Sequence, residues 1–352
     1  MAEVILITPG DPAGIGPEIV WKSLLKPKYA HSRRHRFVCV GAIEPFTKKL
    51  GRRALAVCEA DLATERLKKL PRDKLLVLPA PRQTPRTGLL LEGFQAGWAI
   101  EKAAQLIQTG AAQALVTGPI SKERLQAGGF PYSGHTDFLA ALCGAQEAAR
   151  DVTHNVTMML ANDLLRVSLV TVHIALKDVS AALTRASLRR AVLHTADALR
   201  RWWGIRSPRI AVAALNPHAG ENGLFGQEEI RVIAPELLAL KKEKSLDGVT
   251  LAGPFPADTL FATSLKRPTR QKHPKEKVYD AVVCMYHDQG LIPVKLLDFQ
   301  RTVNVTLGLP IIRTSVDHGV AFDIAGKNQA DPSSLQSAID LAVKFVGRKR
   351  SS

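Results

Sequence analysis

Aromatic residues are scarce in this chain, at 5% of the total. Surfaces that stack nucleobases interleave aromatics with basic residues, so the composition argues against a nucleic-acid platform of that kind. Cysteine is sparser still. Cys39, Cys58, Cys143 and Cys284 include no CxxC pair. That excludes a disulfide framework and the usual thiolate zinc signatures, and reads as buried, reduced thiols. No apolar run reaches the ~18 residues that a membrane-spanning helix needs. The opening MAEVILITPG enters a strand-like segment directly. It lacks the basic, apolar and small-residue regions of a secretory signal. Together these absences point to a cytoplasmic protein with no membrane partner.

What is abundant is positive charge. Lys and Arg number 48 against 32 Asp and Glu, for a net charge of +16. Much of the excess lies in runs, HSRRHR at 31–36 and KRPTRQKHPKEK at 266–277. Such runs are commonly solvated surface. A positive field suits an anionic substrate such as a phosphate ester; RNA binding is the competing reading.

Hydrophobic residues make up 46% of the 352, enough for a sizeable core and for two domains or one large unit. Short β-branched runs alternate with longer helical patterns, the mark of α/β architecture with a largely parallel sheet. Strands are expected at 4–8, 37–41, 74–79, 114–118, 166–172, 209–215, 279–286 and 303–308. Helices are expected at 91–109, 181–202, 227–241 and 333–346. His194 falls within an amphipathic helical pattern and reads as a packing residue.

Ligands of parallel α/β sheets bind at the carboxyl ends of strands. Here three such ends lead into histidines: His173, His218 and His287. Each alone is accounted for as a hydrogen-bonding residue at a strand end. Three in one topological position also fit a metal site, since neutral imidazole is the commonest metal ligand. Their spacing matches no local zinc motif, so proximity rests on topology alone. The segment PGDPAGIGPE at 9–18 is glycine-rich but fails GxGxxG and is followed by no GK[ST]. It reads either as a tight strand-to-helix turn or as a close approach to a ligand. In TGPISK, Thr117, Ser121 and Lys122 stand at a strand end, and in GHTDF Thr136 is placed to cap a helix. Lys295, Asn304 and Arg313 lie in or beside apolar segments, where a salt bridge or a bound anion would satisfy a charge.

Taken together, ITPGDPAGIGPE, TGPISK, GHTDF, NPHAGENGLFGQEE, GPFPADT, MYHDQGLIPVK and VNVTLGLPIIRTSVDHGVAFDIAGK resemble the 4-hydroxythreonine-4-phosphate dehydrogenase family of vitamin B6 biosynthesis. The resemblance covers nearly the whole chain. It implies a two-domain fold like that of isocitrate and isopropylmalate dehydrogenases, with a central cleft. The first domain would comprise 1–122 and 300–352. The second, 123–299, would carry a homodimer interface, with 264–277 as an exposed basic loop longer than is usual in the family. The resemblance further implies NAD or NADP, and one divalent ion (zinc, magnesium or cobalt) held by His173, His218 and His287 from both subunits. The matching substrate positions are His135, Thr136, Lys295, Asn304 and Arg313. Asp258 and Asp288 are the candidates for proton transfer or for orienting these groups. The implied reaction oxidises a secondary alcohol by hydride transfer to the dinucleotide. The β-keto acid formed then loses carbon dioxide, leaving 3-amino-2-oxopropyl phosphate. Relatives with the same histidines act on phosphothreonates or on dihydrodiols, and a metal-dependent hydrolase or lyase is the reading from another class.

Overall fold

The structure is a computed structural model and describes residues 3–62, 65–82, 87–144, 155–264 and 279–349. The chain divides into two compact units, Met1–Thr153 with Leu309–Gly347, and His154–Gly308 with Arg348–Ser352. The sequence reading sets these crossings at 122 and 299.

In the first unit the strands are β1 (Glu3–Thr8), β2 (His35–Gly41), β3 (Ala54–Ala56), β4 (Leu75–Pro79), β5 (Ala114–Thr117) and, from the distal part of the chain, β12 (Ile312–Ser315). They lie in the order β3-β4-β2-β1-β5-β12, every pair parallel. Both faces of such a sheet are covered, which is why VILIT and FVCV are continuous apolar runs without alternation. Helix Gly88–Gln108 turns Ala96, Ala99, Ile100, Ala103 and Ala104 into the core, at helical spacing. An aromatic chain holds the next segment in place: Phe94 lies 6.3 Å from Phe130, Phe130 lies 5.3 Å from Phe138, and Tyr132 stacks on Phe138 at 4.3 Å. This fixes helix His135–Gly144, whose first residue is a proposed substrate contact.

The second unit contains β6 (Thr157–Ala161), β7 (Arg166–Leu169), β8 (Arg209–Ala213), β9 (Thr250–Phe255), β10 (Ala281–Cys284) and β11 (Val303–Leu307). Their order is β11-β6-β7-β10-β8-β9. The β11–β6 and β6–β7 pairs are antiparallel and the others parallel. The tight β6–β7 connection is organised by Asn162. Its Oδ1 accepts from the amides of Leu164 and Leu165 at 2.9 Å, and its Nδ2 donates to Val294 O and Thr302 Oγ1 at 3.0 Å. Helix Arg185–Arg201 starts at a capping box formed by Thr184 and Ser187. His194 on this helix hydrogen-bonds Thr157 Oγ1 at 3.0 Å, as a packing residue would.

Several expectations need correction. Strand β7 ends at Leu169, short of 172. The helix expected over 227–241 opens as a π-helix, Glu229–Ile233, before Ala234–Leu240. Helix His287–Leu297 was not anticipated, because Gly290 and Pro293 sit inside it. Cys39 and Cys284 are fully buried and burial pushes their thiols up, but Cys58 is exposed. Of the basic loop expected at 264–277, Ser264 ends helix Ala257–Ser264 and 265–277 lie outside the described residues. No helix among the described residues is long and apolar enough to cross a membrane.

Candidate active site

Strands β7, β10 and β8 are parallel neighbours in the second unit, so their carboxyl ends share one edge. His173 follows β7, His287 follows β10 and His218 follows β8. The imidazoles of His173 and His287 lie 5.4 Å apart between centroids, tilted by 43°. Rings whose centroids lie that far apart can each turn a nitrogen toward one divalent ion. The His287 ring meets the Asp288 carboxylate through Nδ1 at 2.7 Å. With Nδ1 donating, Nε2 keeps its lone pair for a ligand, and the carboxylate fixes the ring. His218 is exposed, and its ring lies 6.3 Å from that of Phe225. Among the described residues, no three His, Cys, Asp or Glu side chains of one chain converge to hold a metal. A single chain therefore brings two of the three histidines together.

The backbone that carries His218 is strained. His218, Ala219, Gly220, Glu221 and Asn222 all adopt the left-handed region, with φ between 42° and 76°. Each non-glycine residue there costs about 1–2 kcal/mol. His173 also has a positive φ of 50°. Such strain persists only where surroundings over-determine it, and it concentrates at functional sites. Two residues that sequence reasoning missed supply the surroundings. Glu229 is buried, and its carboxylate accepts from the amides of Leu215 and Asn216 at 2.8 Å. Gln289 is buried and spans two strand ends, accepting from Met285 N and donating to Ala214 O, each at 2.7 Å. A buried acid and a buried amide inside NPHAGENGLFGQEE and MYHDQG were the available signals.

The remaining candidates of this unit are dispersed over it. Asp258 is exposed in the first turn of helix Ala257–Ser264. Lys295 is half-buried in the last turn of helix His287–Leu297, its ammonium 5.5 Å from the Phe299 ring. Asn304 is half-buried on β11, opposite Leu160.

In the first unit, Thr8, Thr117 and Ser315 stand level across β1, β5 and β12. The Thr117 hydroxyl donates to Ser315 Oγ at 2.8 Å and accepts from Arg313 Nη2 at 2.8 Å. Arg313 is only 2% exposed, and burial lowers its pKa to about 9, so it remains a cation at neutral pH. Burial and the nearby Arg313 hold His135 well below the usual imidazole range. That ring is neutral, and its buried Nε2 has no hydrogen-bond partner. Thr136 lies within the first turn of helix His135–Gly144, so it does not cap it. Ser121, by contrast, is a structural cap, accepting from Arg124 N at 3.3 Å.

The glycine-rich turn after β1 packs tightly against the turn after β5. Gly10 has φ +81°, and a Cβ there would sit 1.9 Å from the Pro119 carbonyl. Asp11 was also missed. It is buried, its Oδ1 accepts from Ala13 N at 3.0 Å, and desolvation raises its pKa. Beside this turn opens a cavity of about 530 Å³, lined in part by Pro12, Gly14, Trp21, Lys48, Lys49 and Asn328. The volume is in the range of small-molecule and cofactor sites.

The chain was compared with known proteins. The family model described as pyridoxal phosphate biosynthetic protein PdxA matches residues 47–342. A 4-hydroxythreonine-4-phosphate dehydrogenase of Geobacter metallireducens is 43% identical, over 99% of this chain and 96% of its own. A Bradyrhizobium diazoefficiens protein, provisionally named D-threonate 4-phosphate dehydrogenase, is 42% identical over 97% of this chain and 96% of its own. The crystal structure of a Klebsiella pneumoniae 4-hydroxythreonine-4-phosphate dehydrogenase superposes with a TM-score of 0.79 at 37% identity, covering 98% of this chain and all of that one. The fold and these relatives define an α/β oxidoreductase. The chain belongs to the PdxA family of pyridoxal phosphate biosynthetic proteins.

Proposed function

We propose that the chain oxidises 4-phosphohydroxy-L-threonine at its secondary alcohol, with NAD or NADP as hydride acceptor. One hydride passes to the nicotinamide and one proton leaves the hydroxyl. The β-keto acid then releases carbon dioxide to give 3-amino-2-oxopropyl phosphate. The observation that carries this reading is the row of histidines at the ends of β7, β10 and β8, with His173 and His287 already 5.4 Å apart. Imidazole donors of this kind fit zinc, cobalt or magnesium in decreasing order of preference for nitrogen. Bound there, a divalent ion would supply Lewis acidity toward the hydroxyl and toward the keto group formed from it.

Arg313 and His135 suit the phosphate. A buried guanidinium gains most from a dianion, and the neutral imidazole leaves Nε2 to donate to or accept from it. Thr136, Lys295 and Asn304 complete the substrate contacts in this reading. Asp288 orients His287, and Asp258 is the candidate for proton transfer. The cavity beside Gly14 and Trp21 is the candidate dinucleotide site: an indole face and two lysines suit an adenine and phosphates.

A homodimer with shared sites accounts for the exposed apolar side chains that follow each histidine. Leu176 follows His173, Leu224 follows His218 and Leu296 follows His287, each at least 72% exposed. A second copy would cover them and bring its own histidine to the His173–His287 pair. A cytoplasmic location agrees with four cysteines held as free thiols.

A second reading, D-threonate 4-phosphate as substrate, is favoured by the Bradyrhizobium relative at 42% identity. Both compounds carry the phosphate and the secondary alcohol. The deciding experiment measures kcat/KM for each with NAD and NADP, under zinc, cobalt and magnesium. A higher value for the amino acid supports the first reading, and the reverse order supports the second. Well-folded protein that reduces neither dinucleotide with either substrate would sink both.

A further inference from the structure

The strained turn at His218 needs an anchor, and the anchor is not itself a candidate ligand. The Glu229 carboxylate is 4% exposed and accepts three hydrogen bonds, from Leu215 N, Asn216 N and Asn216 Nδ2, at 2.8, 2.8 and 2.9 Å. Only Pro217 separates these residues from the left-handed run. Contact continues inside the run, because a Cβ on Gly220 would lie 2.7 Å from Glu229 Oε2. Asn216 is also held by Glu228 Oε2, at 2.7 Å. Glu229 opens the π-helix Glu229–Ile233, a widened turn of the sort frequently found at functional sites. Gln289 completes the brace by joining Ala214, at the end of β8, to Met285, at the end of β10.

We propose that Glu229 is a positioning residue: with Gln289 it sets where the turn after β8 presents His218 relative to His287. This rests on the reading of these histidines as ligands to a divalent ion. The carboxylate touches neither substrate nor metal. It acts by holding the turn in one left-handed conformation before any ligand arrives, so the ordering cost is not charged to binding.

The test is a cobalt titration of the whole protein, followed by the metal's visible absorption, alongside thermal melting. Glu229→Ala is expected to weaken cobalt binding about 10- to 100-fold, the range seen when partners of metal ligands are removed. Glu229→Gln keeps one acceptor oxygen for the two strand-end amides and should recover most of the loss. Asn216→Ala lies at the half-buried edge of the network and should weaken binding less while leaving the fold intact, so it serves if Glu229→Ala does not fold. A lowered melting temperature with unchanged cobalt affinity and spectrum would overturn the proposal and leave Glu229 as a structural acid. Failure of the unaltered protein to bind cobalt, zinc or magnesium would instead overturn the ligand reading, and this inference with it.

Discussion

In the first unit, the carboxyl ends of β5 and β12 close on themselves. Thr117 links Ser315 to Arg313, and the Gly10 turn is pressed against Pro119. In the second unit, the ends of β7 and β8 release exposed histidines on strained backbone, and β10 leads to the half-buried His287 at the start of a helix. Under the proposed function, the difference follows from what each set would hold. A phosphate is recognised by charge in a dry setting, where a buried guanidinium interacts strongly. A metal ion needs lone pairs aimed from several directions, which requires side chains held in fixed orientations with ring nitrogens left open. The two sheets also differ in strand direction. The first is parallel throughout, whereas the second contains the antiparallel β6, flanked by β11 and β7.

The comparison is broken most forcefully at the histidines. His218→Ala and His287→Ala are each expected to lower kcat by about 10³-fold, on the order of 4 kcal/mol. Both should abolish cobalt binding, and full activity under a chelator would refute the assignment. Arg313→Met probes the other unit. Loss of a charged hydrogen bond to phosphate should raise the substrate KM by roughly 100-fold. Its cobalt affinity should stay at the unaltered value; a parallel fall would show that the two sets are not separate in function.

Asp288→Asn sharpens the comparison within the second unit. The His287 ring would lose its charged partner, and cobalt affinity should fall by about 10-fold. The same substitution at Asp258 should reduce turnover without touching metal affinity, and unchanged turnover would remove Asp258 from the mechanism.

The smallest effect is on stability. Burial and Arg190 push the His194 imidazole down to about 4 from the ordinary 6.5. The folded state therefore favours the neutral ring. Its contribution is complete above pH ~6.5 and is lost as pH falls toward ~4, because the unfolded chain takes up the proton first. Melting temperature should decline across that window, and His194→Gln should flatten the decline. An unchanged pH profile in that variant would show that other groups dominate acid unfolding.

Much of this was legible in the residues. Continuous β-branched runs marked β1, β2, β5 and β10, because strands covered on both faces must be apolar throughout. Strands β3, β6, β9 and β12 escaped notice for particular reasons. Ala54–Ala56 is too short, TMMLA at β6 has little β-branching, TLAGPF at β9 contains glycine and proline, and IRTS at β12 carries a buried arginine. Pro293 hid the helix that begins at His287.

The sequence by itself determined the family and the inventory of chemistry: the strand-end histidines, the buried-arginine segment and the failed dinucleotide fingerprint are written in consecutive residues. Only the tertiary structure decided which of these meet. Adjacency of β7 and β10 pairs His173 with His287, although 114 positions separate them in the chain. The left-handed run at His218 was equally illegible, because four of its five residues are not glycine, and residues such as Asn222 visit that conformation singly, not in runs. It is imposed from outside, by a carboxylate that reaches it only once the strand and the helix beyond have packed.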